Sequence, residues 1–215
     1  MPAYSILVGV DQTYHDNWAI TLLESIQFHS PWIKLRCHVV NPNKLEKLPF
    51  VEYTTEYREF ANEDSKIAYL QAVRFLEVAK LPITESVVTL DADSICCKYF
   101  SENEFKELFK SQFVAYKIKT QRFLAGFIAF GNNNFRQRYA EILNEEQIDN
   151  WKWGRDQKVF AKLREEFTFV QLDTKWLSIG KNGLGSKFLT LKGGQKETNK
   201  YLAIYEAYKN DISPK

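Results

Sequence analysis

The sequence predicts an α/β domain, a mostly parallel β-sheet sandwiched by helices and folded as one unit over residues 1–215. Three observations carry that expectation. Ser5-Ile6-Leu7-Val8-Gly9-Val10 and Val87-Val88-Thr89-Leu90 are short, nearly continuous apolar runs, the pattern of strands covered on both faces. Each run ends in an acid, Asp11 and Asp91. Between residues 5 and 40 the chain reads strand, helix, strand, the beginning of a parallel crossover unit.

Taken in order, Ser5–Val10 is the first central strand. Asp16 or Asn17 can cap a following helix whose apolar face is Ala19, Leu22, Leu23 and Ile26. Ser30-Pro31 stops that helix, and Ile33–Val40 is a second strand. Val51–Tyr53 is a possible short strand. Asp64 or Ser65 opens a helix to about Lys80, with Ile67, Leu70, Val73 and Leu76 at helical spacing. Pro82 precedes the central strand that ends at Asp91. Ser101 with Glu104 forms a capping-box pattern for a helix through Lys110. Phe113–Tyr116 and Phe127–Phe130 read as strands, Asn134–Asn144 and Arg155–Phe167 as helices, and Phe169–Leu172 as a late strand. From Leu177 the chain changes character, because five of its nine glycines lie between Gly180 and Gly194, interleaved with lysines. A last helix is predicted over Thr198–Asn210. The working division is 1–100, a ligand-binding half; 101–176, a second half; and 177–215, a Gly/Lys-rich flap with the final helix.

Composition narrows the function classes. Hydrophobic content of 45% supports a sizeable core, and a net charge of +2 gives no general pull towards nucleic acid. No run is long enough to span a bilayer, and no secretory signal is visible. Cys37, Cys96 and Cys97 are too few and too irregularly spaced for a disulfide framework or a zinc site, so a cytoplasmic setting is expected. The Asp91-Ala92-Asp93 pair is the most informative stretch. Two acids beyond a buried strand lie where parallel sheets bind ligands, and oxygen donors suit Mg²⁺ or Mn²⁺ carrying a phosphate. The competing reading is a pair of solvated loop acids.

In their order and spacing, several segments resemble the GT-A fold (Rossmann-like) glycosyltransferases, most nearly family 8, the glycogenin and lipopolysaccharide galactosyltransferase group. Val8-Gly9-Val10-Asp11-Gln12-Thr13-Tyr14 is similar to the family's first strand and nucleotide-contacting loop. Leu90-Asp91-Ala92-Asp93 matches the Asp-x-Asp motif. Leu124-Ala125-Gly126 looks like its Asn-Ala-Gly segment, Gly154-Arg155-Asp156-Gln157 its Asp-Gln motif, and Gly193-Gly194-Gln195-Lys196 its C-terminal phosphate-binding segment. Two departures stand out: Leu124 replaces an Asn, and Thr190 falls where the family carries a metal-ligand histidine.

The resemblance implies a hexosyltransferase drawing on a nucleoside-diphosphate sugar, a UDP-sugar, with retention of configuration and a carbohydrate or other hydroxyl acceptor. It implies donor contacts from Val10, Asp11, Tyr14, Arg74, Asp91, Ala92 and Lys196, with Lys192 a further candidate. Metal ligation falls to Asp91 and Asp93, with Asp93 the more direct ligand and Mn²⁺ or Mg²⁺ the ion. Asp156 and Gln157 are the catalytic candidates, and Asp156 could act as general base if the reaction inverts instead. Trp151 and Trp153 could stack on an acceptor sugar, although core packing is the commoner fate of tryptophan. Asp11 and Asp156 could equally be caps, Arg74 a structural ion pair, and the lysines part of a solvated tail. Nucleotidyl transfer and non-catalytic nucleotide-sugar or glycan binding are the alternative functions. The chain is short for the family, so a second copy could complete the acceptor site as a homo-oligomer.

Overall fold

The computed structural model describes residues 3–110, 113–117, 123–131, 133–179, 185–190 and 206–207. Seven strands form the main sheet in the order β3-β2-β1-β4-β7-β6-β8. They are β1 (Ala3–Asp11), β2 (Lys34–Val40), β3 (Val51–Glu56), β4 (Glu85–Leu90), β6 (Phe113–Lys117), β7 (Phe123–Phe130) and β8 (Phe169–Gln171). The β3-β2-β1-β4 half is parallel throughout, β7 runs antiparallel to both β4 and β6, and β8 is parallel to β6. The α/β class and the mostly parallel sheet read from the sequence are the observed ones. Strand order reverses between β1 and β4, which opens a crevice beyond their carboxyl ends.

The sheet is buried on both faces. Ile6, Val8, Val10, Leu35, Val39 and Leu90 face α2 (Ile20–His29). On the other face, Leu7, Val40, Val87 and Ile128 pack with Val73, Phe75, Tyr139 and Phe160. These come from α3 (Glu63–Lys80), α5 (Asn133–Asn144) and α6 (Arg155–Leu163). Full burial of each such side chain contributes about 1.5–3 kcal/mol, so the two layers hold the sheet edge in one geometry.

Several elements differ from the sequence reading. The first helical segment begins at Gln12, because Asp11 accepts the Tyr14 amide at 2.8 Å and takes the capping role expected of Asp16 or Asn17. It runs through α1 (Gln12–Tyr14) and a π-turn, His15–Ala19, into α2. The N-cap of α3 is Asn62, and the core face is Ala68, Tyr69, Ala72, Val73 and Phe75, while Ile67 is exposed. The predicted capping box at Ser101 and Glu104 is present, but α4 is shorter (Glu102–Glu107). A second sheet, β5-β10-β9, comprises β5 (Ser94–Cys96), β9 (Leu177–Ile179) and β10 (Phe188–Thr190). Three-residue strands carry no readable periodicity, which is why none was expected. Lys192, Lys196 and the Gly193-Gly194 pair lie outside the described residues, as does all of the predicted last helix except a helical 206–207. All three cysteines are free, and no helix among the described residues is long and apolar enough to cross a membrane.

Candidate functional site

The site is built where β1 and β4 end side by side. Beyond Leu90 the chain turns tightly: the Asp91 amide donates to the Gly126 carbonyl at 2.9 Å, and the Ser94 amide to the Asp91 carbonyl at 3.1 Å. Ala92 and Asp93 are thereby buried at the turn, Asp93 with only 6% exposure. Arg74 fastens this turn from α3. Its Nη2 meets Asp91 Oδ1 at 2.7 Å and donates to the Ala125 carbonyl at 2.9 Å. The structure therefore realises the ion-pair reading of Arg74, with the guanidinium itself buried.

Gly9 makes that placement possible. A Cβ at this position would sit 2.8 Å from Val73 Cγ1 and 2.9 Å from the Arg74 backbone nitrogen. Only a residue without a side chain lets α3 lie this close to β1. The sequence showed Gly9 inside an apolar strand, the usual mark of a close backbone approach, but not what approaches it.

At the tip of β1, Val10 is buried, Asp11 is occupied as a cap and Tyr14 is exposed. The loop that presents Tyr14 is braced from below. Buried His15 contacts Asp16 Oδ1 through Nδ1 at 2.8 Å and the Tyr53 hydroxyl through Nε2 at 3.3 Å. Gln12 Nε2 donates to Asp16 at 2.7 Å. The hydrogen bond from His15 is the main reason the Asp16 carboxyl lies below the ordinary carboxylate range. A π-turn at this point fits the frequent location of such turns at functional sites.

The Asp-Gln segment reaches the same region through α3. Gly154, at φ 79°, precedes α6, and its amide donates to Gln71 Oε1 at 3.2 Å, one turn before Arg74. Asp156 is buried, and its Oδ1 accepts the Gln157 amide at 2.8 Å. The Tyr139 hydroxyl donates to the Asp156 carbonyl at 2.8 Å. Burial first, then the Asp156 charge, push that phenol far above its usual range, while Arg74 and Arg155 pull it down. Gln71 and Tyr139 were not singled out from the sequence, since both look like ordinary helix residues there.

The two tryptophans separate. Trp151 is a core residue, 1% exposed, stacked on Tyr69 at 5.9 Å with its indole N–H on the Glu146 carbonyl. The structure thus gives it the packing fate rather than a sugar-facing one. Trp153 is 66% exposed and lines a cavity of about 310 Å³ with Phe123, Gln157, Lys158 and Arg164. Leu124 packs into the core. Thr190 is fully buried in β10, directly opposite Ser94, the residue after Asp93. Neither the Thr190 nor the Ser94 hydroxyl has a hydrogen-bond partner among the described residues. Around the turn the donor set is therefore all oxygen, which fits a hard divalent cation. Among the described residues, three His or acidic side chains gather as potential metal ligands only at His38, Glu56 and Glu77, between β2, β3 and α3.

The architecture is the GT-A fold, as the likeness to solved glycosyltransferase structures shows. In particular, the chain resembles the galactosyltransferase LgtC, crystallised with donor and acceptor sugar analogues, at a TM-score of 0.69 and 12% identity over 98% of this chain and 97% of that one. It also resembles glycosyltransferase GlyE of Streptococcus pneumoniae TIGR4 in its apo-form, at TM-score 0.65 and 12% identity over 99% of this chain and 62% of that one. A second GlyE structure gives 0.65 and 14% identity over 97% and 62%. At these identities the likeness shows the fold. No family model and no curated protein sequence matches the chain.

Proposed function

We propose that the protein is a glycosyltransferase that moves a hexose from a nucleoside-diphosphate sugar, a UDP-sugar, to a hydroxyl acceptor, with retention of configuration and the assistance of Mn²⁺ or Mg²⁺. The observation that carries this reading is the Asp91-Ala92-Asp93 turn, held by Arg74 at the switch point between β1 and β4. Asp91 and Asp93 would offer carboxylate oxygens there, and the buried Ser94 and Thr190 hydroxyls, opposite each other and unpartnered among the described residues, are the candidates to add oxygens in place of an imidazole. A divalent ion bound at such a site supplies stabilisation for the negative charge that develops on the leaving diphosphate.

The chain's own residues divide the remaining work. Tyr14, exposed at the tip of β1, provides a stacking surface for the nucleotide base, while Asp11 fixes the loop through its cap. Arg74 orients Asp91 instead of meeting the donor first. Asp156 and Gln157 are assigned to the donor sugar, and Trp153 beside Gln157 to the acceptor. Lys196 keeps its assignment to the diphosphate on the strength of the Gly193-Gly194-Gln195-Lys196 segment it belongs to, with Lys192 beside it a further candidate. Nucleotidyl transfer is the weaker reading, because the segment after β1 is a capped helical turn and not a Gly-rich, basic phosphate loop.

The test is a panel of nucleotide sugars scored by thermal shift, with and without Mn²⁺ or Mg²⁺, on the wild type and on Asp93→Ala. A donor at about 100 times its Kd stabilises by about 2.7 kcal/mol. For a chain of this size each kcal/mol raises Tm by about 2–4 °C, so the expected metal-dependent shift is about 5–10 °C. A full shift retained in Asp93→Ala would remove the metal assignment. Donor binding without UDP release in any acceptor mixture would favour a non-catalytic binding domain.

A further inference from the structure

About one turn along α3 from Arg74 lies a second cluster that the proposed reaction does not use. His38 of β2, Glu56 of β3 and Glu77 of α3 bring one ligand atom each to within 4.8 Å of one another. His38 is 2% exposed. Its Nδ1 lies 2.9 Å from the Thr54 hydroxyl, and Glu77 Oε2 is 3.5 Å from the same nitrogen. Its Nε2 lies 3.8 Å from Glu56 Oε1, beyond hydrogen-bond range, and neither of those two buried atoms has a hydrogen-bond partner among the described residues.

A buried ring nitrogen and a buried carboxylate oxygen that face each other without bonding are an energetic cost that something should offset. A proton would do so only if the two atoms closed up. A divalent transition metal does so at nearly the present spacing, since ligand bonds of about 2.0–2.2 Å put tetrahedral donors about 3.3–3.6 Å apart. The remaining details favour that occupant. When Nδ1–H donates to Thr54, the tautomer is fixed and the Nε2 lone pair is left for the Glu56 side, with Glu77 reaching in from beside Nδ1; a ring N–H held by an oxygen is the arrangement that ligating histidines adopt. Lys80 pairs with Glu77 and Arg58 with Glu56 from exposed positions, and both can swing into water when a cation enters. One imidazole and two carboxylates suit zinc and its first-row neighbours, leaving a fourth position for water.

We propose that His38, Glu56 and Glu77 form a second, nucleotide-independent site for a divalent transition metal, Zn²⁺ being the best fit. A bound ion would join β2, β3 and α3, the last being the helix that carries Arg74. The site is independent of the glycosyltransferase reading, and its test keeps the two apart.

Chelator-stripped protein without nucleotide is titrated with Zn²⁺ against a chromogenic chelator, and with Co²⁺ by visible absorption. The expected result is one ion per chain and a Co²⁺ spectrum of tetrahedral or five-coordinate intensity. His38→Gln and Glu77→Gln should weaken binding by at least the roughly 10–100-fold that losing even a supporting outer group costs. Asp93→Ala should bind as the wild type does. Glu77→Gln keeps a polar side chain of nearly the same size and shape, so it remains informative if His38→Gln folds poorly. Absence of stoichiometric binding, an octahedral aquo-like Co²⁺ spectrum, or binding lost in Asp93→Ala but kept in Glu77→Gln would each overturn the proposal.

Discussion

Two ionic clusters lean on the same helix, and they are compensated differently. At Arg74–Asp91 the buried guanidinium has a carboxylate and a backbone carbonyl on one nitrogen, and Asp91 has its own amide bonded to Gly126. At His38 the imidazole is bonded on one side and faces Glu56 unbonded on the other. Helix α3 reaches the first cluster where Gly9 lets it touch β1, and the second through Glu77, about one turn further on. Close packing thus goes with a guanidinium paired through Nη2, although its Nε has no partner among the described residues, while at His38 the facing ligand atoms stand 3.8 Å apart. The first arrangement positions a side chain; the second sets ligand atoms of His38, Glu56 and Glu77 within 4.8 Å of one another.

The largest effect that would test this contrast is Arg74→Ala. Removing one partner of a buried pair costs about 3–5 kcal/mol, because the other charge is left without compensation. At His38, Leu removes only one completed hydrogen bond, so metal-free His38→Leu should cost about 0.5–1.5 kcal/mol. Urea unfolding of the two metal-free variants measures both. Equal losses would mean that the clusters are not compensated differently. An Arg74→Met, Asp91→Leu double variant should recover most of the stability while losing the donor-dependent thermal shift.

A smaller effect isolates the role of α3. Gly9→Ala places a methyl against the backbone of Arg74, which cannot rotate away as a side chain could. Overpacking of this kind costs about 1–3 kcal/mol. It should also weaken the donor-dependent shift, while Zn²⁺ affinity at His38 changes less because Glu77 lies beyond the pinch. If Zn²⁺ affinity fell by the larger factor, this turn of the helix would be moving as one rigid body and the contrast between Arg74 and Glu77 would be lost.

The two clusters also differ in how far the sequence revealed them. Asp91 and Asp93 were legible because a β-branched run points at them, and strand, turn and acids are contiguous. The core strands and the capping box at Ser101 were legible for the same local reason. His38, Glu56 and Glu77 were not, since they come from three elements joined only by the β2–β3 register, which pairs His38 with Thr54, and by the packing of α3. The face of α3 was misread because Ile67 and Leu70 offered a plausible stripe, whereas the buried one is built on Ala68, Ala72 and Phe75 around the tight contact at Gly9. Trp151 and Trp153 lie two residues apart with opposite fates, which only the stacking of Tyr69 on one of them decides.

The smallest predicted effect extends the contrast to an exposed pair. Glu104 binds Lys187 at 2.8 Å and closes the capping box of α4, so it links α4 to the strand that ends at Thr190. The Lys187 bond, followed by the Ser101 amide, lowers its carboxyl from 4.5 to about 2. A depressed folded value means that the stabilisation is complete above about 4.5 and is lost as pH falls towards 2, where the unfolded chain takes up the proton first. Because Glu104 is half-exposed, solvent and salt screen the pair, and it is worth no more than about 1 kcal/mol. Lys187 also lies over the Trp176 ring at 5.7 Å, so tryptophan fluorescence reports on the junction. Glu104→Gln should flatten the acid limb of stability in this window, and added salt should reduce the difference from wild type. An unchanged acid limb would show that the small sheet is held by Phe188 and Trp176 packing alone.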